Sequence, residues 1–121
     1  DSPVIIQGDG EQIRDFIHAD DVARGMLIAA RCSSSPLNLG SGIGTSIKEL
    51  VQMIINLSGR NPEVIYDTSR PSGDRKRLLD ISTARILGFE PKIKLEQGIG
   101  ELIEWYRIHK NDTDSRFDFF K

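Results

Sequence analysis

The chain has 121 residues, 38% hydrophobic and 28% charged, a length and composition that fit one soluble domain with a modest core. Sixteen basic against 18 acidic residues leave a formal charge of −2, which excludes a bulk attraction to nucleic acid or to an anionic membrane. A single cysteine, Cys32, rules out an internal disulfide. No cysteine–histidine metal pattern is present, and no apolar run nears the roughly 18 residues of a membrane span. No signal-peptide pattern opens the chain, so a reducing cytoplasm is the expected setting. The first residue is Asp1 rather than methionine and leads directly into an apolar run, which reads as a chain cut from something longer.

In chain order, Val4 to Gln7 reads as a short strand and "GDGEQ" as a turn, Asp-Gly being a strong turn dipeptide. Arg14 to His18 alternates and is expected to form a second strand or an extended segment. Asp20 or Asp21 is expected to cap a helix through "VARGMLIAAR", with Val22, Met26, Leu27 and Ala30 on one face, stopped by "SSSP". Leu37 to Leu39 reads as a three-residue strand feeding three alternate glycines, Gly40, Gly42 and Gly44. Ser46 and Glu49 have capping-box spacing. Ile47, Leu50, Val51, Ile54 and Leu57 follow at helical spacing, and Gly59 is a natural stop. "EVIYD" is a further strand and "TSRPSGDRKR" a basic loop. Asp80 is expected to cap a short helix through Ala84 to Leu87, closed by Gly88, with Pro91 blocking continuation. The last helix starts near Leu95 and carries Leu95, Ile99, Leu102, Ile103 and Tyr106. Residues 1–110 then form one mixed α/β domain, and 111–121, polar and then aromatic, form a flexible tail.

Three segments could carry chemistry. The first is "LNLGSGIGTSIKEL", residues 37–50, a strand–glycine–helix sequence of the kind that opens dinucleotide sites. Such sites need G-x-G-x-x-G and an acidic residue about 20 positions on. The spacing here is G-x-G-x-G, so a tight turn into a capped helix is the simpler reading, although Asp67 does end the next strand. The second is "GDGEQIRDFIHADD", residues 8–21, where a glycine turn presents Gln12 and Arg14 near a strand edge. The planar fork of Arg14 suits two oxygens of a diphosphate, but pairing with a nearby aspartate is an equal alternative. His18, among apolar residues, reads as structural. The third is "RPSGDRKRLLD", residues 70–80, where Arg70, Arg75, Lys76 and Arg77 surround a Pro-Ser-Gly turn that could close over phosphates or stay solvated. There is no Tyr-x-x-x-Lys pair, no G-x-S-x-G elbow, no paired metal-ligand histidines and no phosphate loop ending in Gly-Lys-Ser/Thr, so no catalytic, cofactor-binding or metal residue is assigned.

The order of these motifs is more specific than any one of them. "VIIQGDGEQIRDFIHADDVARGMLIAA", "LNLGSGIGTSIKELVQMI" and "RPSGDRKRLLDISTARILGFEPKIKLEQGIGELIEWY" together resemble the carboxy-terminal part of the NAD(P)-dependent nucleotide-sugar epimerases and dehydratases, the extended short-chain dehydrogenase/reductases, over about residues 4 to 107. The resemblance implies a small mixed α/β substrate-binding domain that lacks the Rossmann cofactor domain, with NAD or NADP and the catalytic tyrosine and lysine held upstream. It implies a nucleotide-diphosphate sugar as ligand, a homodimeric parent, and an isolated chain without activity of its own. By motif position it casts Arg14 and Arg70 as the arginines on the diphosphate and puts Gln12 near the nucleotide. The family's loop is Arg-Pro-Gly-Asp. Here Ser72 is inserted, which leaves open whether Arg70 or Arg75 reaches the ligand. Asp74 in that loop reads as structural. A non-catalytic nucleotide-sugar binding or oligomerisation module is the alternative of a different class.

Overall fold

The computed structural model describes residues 2–32, 35–71 and 73–111. The expected tail therefore lies, apart from Asn111, outside the described residues, as do Ser33 and Ser34 of "SSSP" and the inserted Ser72. The elements in order are β1 (Val4–Gln7), β2 (Ile13–Asp15), α1 (Ala19–Cys32), β3 (Gly44–Ser46), α2 (Ile47–Ser58), β4 (Val64–Asp67), α3 (Ser82–Ile86) and α4 (Leu95–His109). The strands form two separate ladders. In one, β1 and β4 run parallel with Val4 opposite Val64 and Gln7 opposite Asp67. In the other, β2 and β3 run antiparallel, with Ile13 opposite Ser46, Arg14 opposite Thr45 and Asp15 opposite Gly44. This is a small mixed α/β fold, as its sequence pattern predicts.

α2 forms where its local signals are strongest. The Ser46 hydroxyl accepts the Glu49 N–H at 3.1 Å, the Glu49 carboxylate accepts the Ser46 N–H at 2.7 Å, and Gly59 closes the helix at φ 68°. The first two helical amides are satisfied from elsewhere: Ile47 N–H donates to the Gln12 carbonyl at 3.1 Å and Lys48 N–H to the Gly10 carbonyl at 2.9 Å. The Ser46 N–H and hydroxyl hold the Glu49 carboxyl below the usual carboxylate range. Ser46→Ala removes the cap and is expected to cost about 1 kcal/mol. Urea denaturation checks this, and an unshifted midpoint would contradict it.

Three expectations are corrected. Leu37 to Leu39 is not a strand. Its Asn38 side chain donates to the Asp80 carbonyl at 3.2 Å, and the strand comes later, within the glycines, as β3. The second strand ends at Asp15 rather than continuing to His18. α1 begins at Ala19, so Asp20 and Asp21 fall inside its first turn rather than at its cap. The buried positions of α1 are Asp21 and Gly25, whereas Met26 and Leu27 are each 61% exposed. The reason is a close approach: a Cβ on Gly25 would lie 2.7 Å from Leu39 Cδ2 and 3.0 Å from Phe89 Cε2. A face made of an aspartate and a glycine is invisible to a search for apolar periodicity.

The Asp21 carboxylate accepts N–H groups from Lys92 at 3.1 Å and Ile93 at 2.9 Å, and the Arg24 guanidinium. Burial by itself would raise its pKa, but the Ile93 and Lys92 amides together with Arg24 bring it below the ordinary value. Among the described residues the buried apolar side chains are Ile81, Ala84, Phe89 and Ile99, with Phe89 close to Gly25 of α1 and Ile81 close to Gly42. Asp80 takes the Ser82 N–H at 2.9 Å and so holds the start of α3, from one position before the formal cap residue Ile81. α4 buries Ile99, while Leu102 and Tyr106 of its expected apolar face stand exposed.

Candidate functional site

The glycine segment meets an anion, and the anion belongs to the protein. Asp15 Oδ1 accepts the Ser41 N–H at 2.7 Å and the Ser41 hydroxyl at 2.6 Å, and its Oδ2 accepts the Gly42 N–H at 3.1 Å. Gly42 reaches this geometry at φ 69°, a left-handed value that disfavours a side chain. With the α2 amides taken by Gln12, Gly10 and Ser46, the donors that would cradle a pyrophosphate are already engaged. Asp67, the acidic residue at dinucleotide spacing, is also occupied. Its Oδ1 accepts the Ser69 hydroxyl at 2.5 Å and the Ser69 N–H at 3.0 Å, and these bonds hold its carboxyl below the usual range. The residues described here do not fit a dinucleotide, and the segment is a turn.

β2 runs between two neighbours. On one side lies β3. On the other, Ile13 bridges Lys76 in parallel, with Ile13 N–H donating to the Arg75 carbonyl and Arg77 N–H to the Ile13 carbonyl, each at 2.9 Å. This bridge brings the basic loop beside Arg14 across more than 60 residues of sequence. Arg14 Nη1 donates to the Ile13 and Asp74 carbonyls, both at 2.8 Å. Among the described residues no carboxylate pairs with Arg14, because the adjacent Asp15 is held by the glycine turn. Of the two sequence alternatives for Arg14, pairing with a nearby aspartate is therefore not what the structure shows. Asp74 is structural as expected, its carbonyl serving Arg14 and its carboxylate pairing with Arg77 Nε at 2.6 Å.

The other candidate residues are placed less centrally. Arg70 is 66% exposed, with Nε 3.7 Å from Asp67, and among the described residues no contact joins it to Arg14. Arg75 is exposed and contributes its carbonyl to the bridge. Gln12 is buried. Its Nε2 donates to the Gln7 carbonyl at 3.2 Å, and its Oε1 is buried with no partner among the described residues. His18 sits with Nδ1 3.2 Å from the Asp20 N–H and Nε2 3.5 Å from Glu101, a structural position at the foot of α4.

A cleft of about 430 Å³ is lined by Arg14, Asp15, Arg77, Leu78 and Leu79. Arg77 was not singled out in the sequence, because nothing local distinguishes it from its basic neighbours. A second cleft, about 520 Å³ between α2 and α4, is bounded by Phe16, Leu50, Ile54, Ile99 and Leu102 and offers little polar chemistry. No helix among the described residues is long and apolar enough to cross a membrane.

Fold and site together define a small α/β unit with an internally filled glycine turn and a cationic cleft. The pattern of the NAD dependent epimerase/dehydratase family matches residues 1–40. GDP-L-fucose synthase of Escherichia coli is 30% identical over 114 residues, covering 85% of this chain and 36% of that enzyme. The crystal structure of UDP-glucose 4-epimerase with UDP-glucose from Thermotoga maritima superposes with a TM-score of 0.83 at 35% identity, covering 89% of this chain and 36% of the epimerase. That of UDP-glucuronic acid 4-epimerase from Bacillus cereus, in complex with UDP-4-deoxy-4-fluoro-glucuronic acid and NAD, superposes at 0.78 and 28% identity, covering 88% and 35%. Over most of its length the chain is thus similar to nucleotide-sugar epimerases and reductases of the NAD dependent epimerase/dehydratase family, the extended short-chain dehydrogenase/reductases, and it spans about a third of the length of the curated relatives it matches.

Proposed function

We propose that residues 1–110 form the substrate-binding domain of an NAD(P)-dependent nucleotide-sugar epimerase, dehydratase or reductase, and that Arg14 holds the diphosphate of the sugar nucleotide. The carrying observation is the state of Arg14. Its guanidinium is fixed by two carbonyls, which orient it without neutralising it, and its Nε and Nη2 are uncommitted among the described residues. A planar, charged, pre-oriented fork of this kind matches two phosphate oxygens. The basic loop supplies further charge, with Arg70 and Arg75 as candidates, and Gln12, by its motif position, lies where the turn passes near the nucleotide. The nicotinamide cofactor, when bound, supplies the hydride acceptor, and it is held outside the residues described here. The part of this chain in the reaction is positional: contacts to the unreactive nucleotide orient the sugar toward that cofactor. The setting is cytoplasmic and the functional parent a homodimer.

Titration calorimetry with UDP-, GDP- and dTDP-sugars tests the reading. Arg14→Ala is expected to weaken binding by about 2 kcal/mol or more, the scale of a lost charge-assisted hydrogen bond. Equal affinity in wild type and variant would overturn it.

A further inference from the structure

We propose that Arg77 is a second phosphate contact, opposite Arg14, and that the pair selects a diphosphate over a monophosphate. This rests on the reading of Arg14 as a diphosphate ligand. The parallel bridge between Ile13 and Lys76, continued by one residue, sets Arg14 beside Arg77. In the same register Arg75 falls beside Gln12. One residue holds both guanidiniums: the Asp74 carbonyl accepts from Arg14 at 2.8 Å and the Asp74 carboxylate from Arg77 at 2.6 Å. Both arginines line the same 430 Å³ cleft.

Like charges opposed across a ladder repel, and the Asp74 carboxylate is engaged by Arg77, while Asp15, which also lines the cleft, turns its carboxylate to Ser41 and Gly42. Arg14 therefore faces the cleft with no carboxylate of its own among the described residues, which is the arrangement an anion completes. Arg77 engages only its Nε, so both of its Nη groups are uncommitted among the described residues, as are Nε and Nη2 of Arg14. Two such forks accommodate more oxygens than one phosphate group offers. Leu78 and Leu79, 39% and 42% exposed, give the cleft an apolar wall, which suits a ligand with an organic substituent better than inorganic phosphate. The ladder bond at position 77 is made by the backbone, so truncating the side chain leaves the loop attached.

The test measures affinities of UDP and GDP against UMP and GMP for wild type, Arg14→Ala, Arg77→Ala, Arg77→Lys and Arg75→Ala by calorimetry. Wild type is expected to favour the diphosphates. Arg77→Ala should lose roughly tenfold in diphosphate affinity with little change for the monophosphates, Arg77→Lys should recover part of the loss, and Arg75→Ala should lose less. If Arg14→Ala loses affinity while Arg77→Ala binds diphosphates as wild type does, this proposal falls and the Arg14 reading stands. Equal losses for mono- and diphosphates in Arg77→Ala would mark a structural effect and also overturn it. A wild-type chain that binds none of the four nucleotides overturns both readings.

Discussion

Asp21→Asn is expected to destabilise the fold by roughly 3–5 kcal/mol, the range for removing one partner of a buried charged network. The carboxylate is fully buried and serves two backbone amides and Arg24 at once. An asparagine presents one acceptor oxygen, turns an N–H₂ toward other donors and leaves Arg24 without its counter-charge. For a domain whose whole stability is of order 5–15 kcal/mol, such a loss brings it close to unfolding. The pH dependence follows from the direction of the pKa shift. The folded carboxyl is depressed, so its contribution is complete above the unfolded value of about 4 and is lost as pH falls through the lower folded value. Urea midpoints from pH 7 down to pH 2 should therefore show an acid-side decline in wild type that is weakened in the variant. A variant with the wild-type midpoint at pH 7 would refute the assignment.

Asp15→Ala is expected to cost about 2–3 kcal/mol and to release the glycine turn from β2. Three hydrogen bonds, two from Ser41 and one from Gly42, converge on this carboxylate, and no neighbouring residue replaces them. The local readout is amide hydrogen exchange: protection at Ser41 and Gly42 should fall well before that of the α2 interior. Unchanged exchange at both amides would show that the turn holds itself. Asp15→Asn, keeping one acceptor, should lie between the two.

These two aspartates also show where reading the chain residue by residue succeeds and where it stops. The capping box of Ser46 and Glu49, the glycine stop at Gly59 and strands β1 and β4 were legible because each depends on residues a few positions apart. The family was legible because its motifs recur in order. The role of Arg14 was narrowed to two alternatives, and the basic loop was recognised without a choice among its arginines. The face of α1 was misread, since Asp21 binds amides 71 and 72 residues away and Gly25 is buried by its lack of a side chain.

Composition, periodicity and caps by themselves determined a small mixed α/β chain, its principal helices and the class of enzyme it resembles. Only the tertiary structure decided which groups the charged side chains are bonded to. The glycine turn holds Asp15, which leaves Arg14 without a carboxylate partner among the described residues. The bridge between Ile13 and Lys76 then brings Arg77, of the four basic residues, to the cleft that Arg14 lines. Hydrogen bonds between distant segments set that pairing, and a pattern confined to neighbouring residues carries no trace of register.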